Sequence, residues 1–260
     1  EPGEVVVIRR GRLRSLWPLS RTAPQHFCIF EYMYFSRPDS NLMGKNVYAY
    51  RKELGRLLAR EHPVSCDMVV PVLDSGNAAA LGFAEESGIP YDTALIRNHY
   101  VRRTFIEPAQ SIRNFGVKVK HNAIRSFLDG KRIALIDDSI VRGTTLVKIV
   151  AMLRGAGARE VHVRISGPPT TGPCYYGVDT PNKEELIAYR HSVEEIREIV
   201  GADSLGYLSL EALRRSAAQE LKIGICDGCF SGDYPVAVTA EQEAPQLSLF
   251  RAIEDEPEAD

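Results

Sequence analysis

Apolar positions along the chain follow two alternating rhythms. Short runs at Met68 to Leu73 and Ile133 to Ile136 have the length and composition of strands buried on both faces, and Ile89 to Ile96 and Glu160 to Ile165 supply two further candidates. Helical spacing separates them. Lys45 to Glu61 repeats through Val47, Leu54, Leu57 and Leu58, and Thr145 to Arg154 through Leu146, Val147, Ile149, Val150, Met152 and Leu153. Ser192 and Glu195 stand in capping-box spacing at the head of a helix reaching Val200, and another is predicted from Leu208 to Ala218. Strands that alternate with helices predict an α/β fold around a parallel sheet. Outside this region, Val5 to Ile8 reads as a short strand followed by a basic segment, and the acidic, Pro-containing end from Ala237 is predicted to be flexible, with Glu254 to Asp260 disordered.

Composition narrows the class only a little. With 260 residues, 44% of them apolar, the chain can build one large domain or two small ones. A net charge of -2 gives no general reason to expect nucleic acid or a membrane as partner, and no apolar run approaches the roughly 18 residues of a bilayer span. Val5 to Ile8 is too short for a secretory signal and its arginines follow it, so a cytoplasmic location is expected. Five unevenly spaced cysteines argue against a disulfide framework and raise metal or cluster ligation.

The chemistry concentrates where Ile133 to Ile136 runs into Asp137 and Asp138, the carboxyl end of a strand being where open α/β sheets present their ligand crevice. Ser139, Arg142, Gly143, Thr144 and Thr145 follow, immediately ahead of a predicted helix. Open N–H groups, the positive end of the helix dipole, hydroxyls and a glycine make a monophosphate site. Carboxylates repel phosphate but suit ribose hydroxyls and Mg²⁺, so the run fits a sugar 5-phosphate with a metal-bound group nearby. Pro71 to Ala79 places Asp74, Ser75 and Gly76 at a second strand end, suited to a diphosphate, with Ser75 and Asp74 as metal-side oxygens. Arg97 to His121 gathers Arg97, Arg102, Arg103, Arg113, Lys118 and Lys120 against Glu107 alone, a field for a highly charged substrate beneath a closing lid. Cys226 and Cys229 form a CxxC pair, and Cys28, Cys66 and Cys174 are the candidates to complete a four-thiolate site. Spacing does not choose among them, although Cys66, beside a strand, reads as a core residue.

The run KRIALIDDSIVRGTT resembles the phosphoribosyl pyrophosphate (PRPP) signature of type I phosphoribosyltransferases. Together with FCIFEYMYFSRPDS, PVLDSG, RNHYVRRTFIEPAQ, VKVKHN, SGPPTTGPCYYGVDT and CDGCFSGDYP, it makes Pro24 to Tyr234 similar to the glutamine PRPP amidotransferase family of purine synthesis. The resemblance implies a type I phosphoribosyltransferase fold with a C-terminal helical segment. It implies transfer of ammonia to C1 of PRPP, with Asp74, Ser75, Gly76, Asp137, Asp138, Ser139, Arg142, Gly143, Thr144 and Thr145 binding PRPP. Mg²⁺ would be held by Ser75, Asp137 and Asp138, and Tyr100, Arg103, Thr104, Phe105 and Lys120 would form the catalytic lid. It further implies a [4Fe–4S] cluster on Cys28, Cys174, Cys226 and Cys229, with Zn²⁺ the alternative, leaving Cys66 free. A homotetramer inhibited by purine nucleotides is also implied.

In these terms residues 1–23 are expected to be the residual end of a glutaminase domain otherwise missing from the chain, 24–236 the transferase with its cluster segment, and 237–260 an acidic flexible tail. Leu73, Arg102, His121 and Ala123 depart from the family pattern without removing a ligand. A silent PRPP or nucleotide sensor is the alternative function, but no winged-helix or helix-turn-helix segment is evident beside the transferase region. One short match lies outside the family: Gln246 to Phe250, QLSLF, looks like a sliding-clamp docking peptide.

Overall fold

A computed structural model of the chain describes residues 3–18, 24–98, 121–180, 182–218 and 223–238. At the start, β1 (Val5–Arg9) and β2 (Arg12–Leu16) form an antiparallel hairpin. The two-residue turn, Arg10 and Gly11, has positive φ at both positions, the geometry that matches the twist of a tight hairpin. β3 (His26–Cys28) leads to a π-helical turn, Glu31–Phe35, and β4 (Asn41–Leu42) and β5 (Lys45–Asn46) form a minimal hairpin. α1 (Val47–Glu61) begins where the Asn46 side chain accepts a hydrogen bond from the Ala49 N–H at 3.0 Å.

The central sheet is built from β6 (Met68–Pro71), β9 (Arg132–Asp137), β10 (Glu160–Ile165) and β11 (Ser204–Tyr207), all parallel, in the order β11-β10-β9-β6. The predicted strand at Ile89 to Ile96 does not form as such. Pro90 interrupts it, only Tyr91 bridges to Val69, and β7 (Leu95–Arg97) pairs antiparallel with β8 (His121–Ala123) instead. That bridge still matters, because the chain leaves β6 for one side at Tyr91 and returns on the other at β9. The carboxyl ends of β6 and β9 therefore flank a topological switch point, where a crevice opens. β11 was not expected from the sequence, since Ser204 and Gly206 dilute its apolar signal.

Alternation along the strands divides the core. Val69, Ala134 and Ile136 face α1, α2 (Asn77–Ser87) and α7 (Leu210–Ala218), whereas Val70, Ile133, Leu135, Val161, Val163 and Ile165 face α4 (Thr144–Gly155) and α6 (Val193–Val200). The short helices α3 (Arg125–Leu128), α5 (Ile187–Arg190) and α8 (Gly228–Ser231) complete the described chain. α6 carries the expected capping box between Ser192 and Glu195. β12 (Gly224–Cys226) pairs in parallel with β3, so the late cysteine segment lies beside the early one. α1 and α2 meet backbone to backbone: a Cβ on Gly55 would sit 1.9 Å from the Ala79 carbonyl oxygen, and one on Gly82 only 1.8 Å from that of Lys52. Only glycine permits that approach.

Candidate active site and the cysteine turns

β6 and β9 end side by side, and their loops are knitted together. The Val72 N–H donates to the Ile136 carbonyl at 2.8 Å, and the Gly76 N–H donates to Val72 at 2.9 Å. Ser75 Oγ donates to Asp137 Oδ1 at 3.2 Å, the Asp138 N–H donates to the same oxygen at 2.9 Å, and Ser139 Oγ donates to Asp138 Oδ1 at 2.5 Å. Ser75, Asp137, Asp138 and Ser139 thus form one polar cluster, as the sequence predicts. A Cβ on Gly76 would lie 2.4 Å from the Ile136 carbonyl oxygen, which accounts for glycine there. Neither α2 nor α4 has an N-cap side chain bonded to its first turn, although the Asn77 N–H of α2 donates to the Asp74 carbonyl at 3.4 Å. Gly143 precedes α4 in the left-handed region, φ +76°, with Thr144 and Thr145 exposed beside it.

Electrostatics distinguishes the two acids. Burial, and then the charge of Asp138, push the Asp137 carboxyl well above the ordinary carboxylate range. Asp138, 4% exposed, is also raised by burial, but the hydroxyls of Ser139 and Ser75 and the Arg51 guanidinium favour its charged form. A divalent cation or a ribose diol would meet this unfavourable concentration of negative charge. The donor set, two carboxylates and a hydroxyl, fits Mg²⁺, which takes its other oxygens from water and substrate.

Arg51 escaped sequence reading. It is buried on α1, where Nε donates to the Tyr32 carbonyl at 2.8 Å and Nη2 to that of Ser36 at 2.7 Å. Its signal was available, since Arg51 interrupts the apolar stripe Val47, Tyr50, Leu54, Leu58. Asp74 lies exposed and ion-paired with Arg97, so the structure does not bring it to the acid cluster. Arg142, expected on the phosphate, donates from Nε to Glu185 Oε2 at 2.8 Å. Two departures from the family pattern meet here: the His121 ring nitrogen Nε2 lies 3.3 Å from the Leu73 carbonyl oxygen at the entry to the loop of Asp74, Ser75 and Gly76. Tyr100, Arg103, Thr104, Phe105 and Lys120 fall outside the described residues, as does Gln246 to Phe250.

The cysteine turns assemble around the β3–β12 pairing, which places Cys28 and Cys226 as register partners. The Thr171 and Gly172 N–H groups both donate to the Cys229 carbonyl at 3.0 Å, bringing the segment of Cys174 alongside. Tyr234 closes the group, its hydroxyl donating to the Pro173 carbonyl at 2.6 Å and its ring filling the space bare at Gly228. Burial raises the thiols of Cys28, Cys226 and Cys229, and the neighbouring cysteines raise them further. Cys66 stands apart, half-buried, with its Sγ 3.5 Å from the Met68 carbonyl oxygen. Among the described residues, no three His, Cys, Asp or Glu side chains meet closely enough to share a single metal ion.

Comparison with known proteins turns on this same span. An Arabidopsis thaliana chloroplastic amidophosphoribosyltransferase is 53% identical over 238 residues, 92% of this chain and 42% of its own length. The Bacillus subtilis amidophosphoribosyltransferase is 49% identical over 250 residues, 95% of this chain and 52% of its own. Over these residues the chain is similar to proteins named amidophosphoribosyltransferase. The solved structure of B. subtilis glutamine PRPP amidotransferase, complexed with ADP and GMP, superposes with a TM-score of 0.80 at 50% identity, covering 93% of this chain and 53% of that one. The type I phosphoribosyltransferase fold expected from the sequence is therefore the fold observed. The chain spans about half the length of these amidophosphoribosyltransferase relatives. No family model matches it. No helix among the described residues is long and apolar enough to cross a membrane.

Proposed function

We propose that the chain carries out the phosphoribosyl transfer of an amidophosphoribosyltransferase, in which ammonia displaces pyrophosphate from C1 of PRPP to give 5-phosphoribosylamine. The observation that carries this reading is the convergence, at one switch point, of an acid pair, a bonded serine and two glycine-opened loops that each precede an uncapped helix. Thr144, Thr145 and the first N–H groups of α4 would hold the 5-phosphate, and Asp137 and Asp138 the ribose hydroxyls. Ser75 and the open end of α2 would face the diphosphate. The nitrogen lone pair forms the C1–N bond while the C1–O bond breaks, its electron pair leaves with pyrophosphate, and a proton from nitrogen passes to water. Positive charge developing on the ribose lies beside the carboxylates, and the departing negative charge lies at the helix end. Mg²⁺, held by Ser75, Asp137 and Asp138, would supply further neutralisation of the diphosphate. Tyr100, Arg103, Thr104, Phe105 and Lys120 complete the reading as a lid that keeps water from competing with ammonia.

The same reading assigns a [4Fe–4S] cluster to Cys28, Cys174, Cys226 and Cys229. Its support is that the pairing of β3 with β12 and the bonds from Thr171 and Gly172 to Cys229 bring the turns of these four thiols together, with Zn²⁺ the alternative occupant. Self-association and restraint by purine nucleotides extend it, the latter by analogy with the ADP and GMP of the B. subtilis structure. A cytoplasmic location belongs to the reading as well, although plant relatives are chloroplastic by name.

Pyrophosphate release from PRPP and Mg²⁺ by anaerobically purified protein tests the transfer. Ammonium-dependent release, lost in Asp137→Ala, is expected. PRPP binding without release would instead make the chain a sensor. Brown colour with about four iron atoms per chain is expected for the cluster, and stoichiometric zinc would refute it.

A further inference from the structure

Segment 183–190 makes three separate contacts with the loop that leads into α4, two of them at Arg142 and Gly143, while the residues of the segment itself are assigned no contact with substrate. The Ile187 N–H donates to the Val141 carbonyl at 2.9 Å. Glu185 Oε2 accepts from Arg142 Nε at 2.8 Å. The Ile187 side chain, 6% exposed, occupies the space a Cβ would take at Gly143, its Cδ1 lying 2.7 Å from that position. Backbone, charge and packing contacts therefore reach three consecutive residues, Val141, Arg142 and Gly143. Leu186, fully buried, roots the segment in the core.

The loop needs such support. Val141 is half-buried, Arg142 exposed, and Gly143 holds a left-handed conformation that glycine adopts without preferring it. Open N–H groups bind an anion well only when they are already aimed, since ordering them at the moment of binding costs affinity. Arg142, exposed and paired with Glu185, ties the loop to this segment through its side chain.

We infer that Glu185 and Ile187 are positioning residues for the anion-binding loop Val141–Thr145, so that the segment they belong to sets affinity for the sugar 5-phosphate without touching it. This rests on the transferase reading for the identity of the ligand, though not for the brace itself. The opposite end of the same stretch of chain is tied at Thr171 and Gly172 to the Cys229 carbonyl, so the cysteine turns and the phosphate loop share one connecting segment.

The test compares Glu185→Gln and Ile187→Val, the second removing only the methyl that lies against Gly143, with the unaltered chain. In ligand-free protein, amide hydrogen exchange at 141–145 is expected to accelerate about fivefold or more in each variant, while 74–77 is unchanged. Affinity for ribose 5-phosphate is expected to fall about five- to tenfold with that for Mg²⁺-pyrophosphate held within about twofold, and KM for PRPP to rise with kcat nearly constant. Unchanged exchange at 141–145, or equal acceleration at 74–77, would overturn the brace. If the unaltered chain neither binds ribose 5-phosphate nor releases pyrophosphate, the transferase reading fails, and the exchange result still decides the brace.

Discussion

The strand-end crevice and the cysteine turns are built in opposite ways. Among the described residues, Ser75, Asp137, Asp138 and Ser139 sit where two adjacent buried strands end, so the core that holds β6 against β9 also holds them. The cysteine turns draw on residues 28, 174, 226 and 229 and are joined by a three-residue strand pairing, two N–H bonds to one carbonyl and a tyrosine. A site on paired strands is made by the fold. A site on distant turns has to help make its own surroundings, and the bound group then becomes part of the structure.

The largest expected effect breaks the comparison on the crevice side. Asp138→Asn should lower ammonium-dependent pyrophosphate release by about a thousandfold or more, because it removes charge where the transition state develops it. A loss below tenfold would reduce the acid pair to loop capping. On the other side, Cys226→Ser should abolish iron binding and lower the thermal midpoint by about 5 °C or more, with exchange rising in 171–176 and 226–234 while 74–77 and 137–140 stay protected. Equal loosening of both regions would show that they are one cooperative unit. Arg51→Met should cost about 3 kcal/mol in denaturant titration, since it strips a buried charge from Asp138 and leaves the Tyr32 and Ser36 carbonyls unbonded. A loss under 1 kcal/mol would mean that water replaces the guanidinium.

The smallest effect sharpens the contrast by lying outside both sites. Arg132 holds the Asp67 carboxylate near pKa 2, through a side-chain contact at 3.0 Å and a backbone N–H bond at 2.8 Å. A depressed carboxylate contributes stability that is present above its unfolded pKa, near 3.8, and is lost as pH falls through about 2. Asp67→Asn should therefore lower the thermal midpoint slightly at pH 7, with the difference from the unaltered chain vanishing toward pH 2. A difference independent of pH would assign the effect to packing.

The same contrast explains what could be read in advance. Asp137 to Thr145 is contiguous, so strand, acids, hydroxyls and helix start were legible in order, and helix α4 fell within a residue of its expected bounds. The four cysteines could be grouped only through family resemblance, because spacing carries no information about the pairing of β3 with β12. Arg142 was read from its place in the motif, but its partner Glu185 lies more than forty residues later, and a long-range ion pair leaves no local periodicity. Ile89 to Ile96 was overcalled for a related reason: apolar content marked burial, while Pro90 and the pairing with β8 decided the geometry.

The bare contact between α1 and α2 has a consequence for tolerance. At Gly55 and Gly82 the two helices meet with no side-chain thickness between them, so neither can move closer there. Arg51 is fixed to α1, and α2 begins at Asn77 directly after the loop of Ser75 and Gly76. At those two points the spacing of the helices is set by peptide backbone, so any side chain introduced there would push Arg51 away from the loop of Ser75 and Gly76.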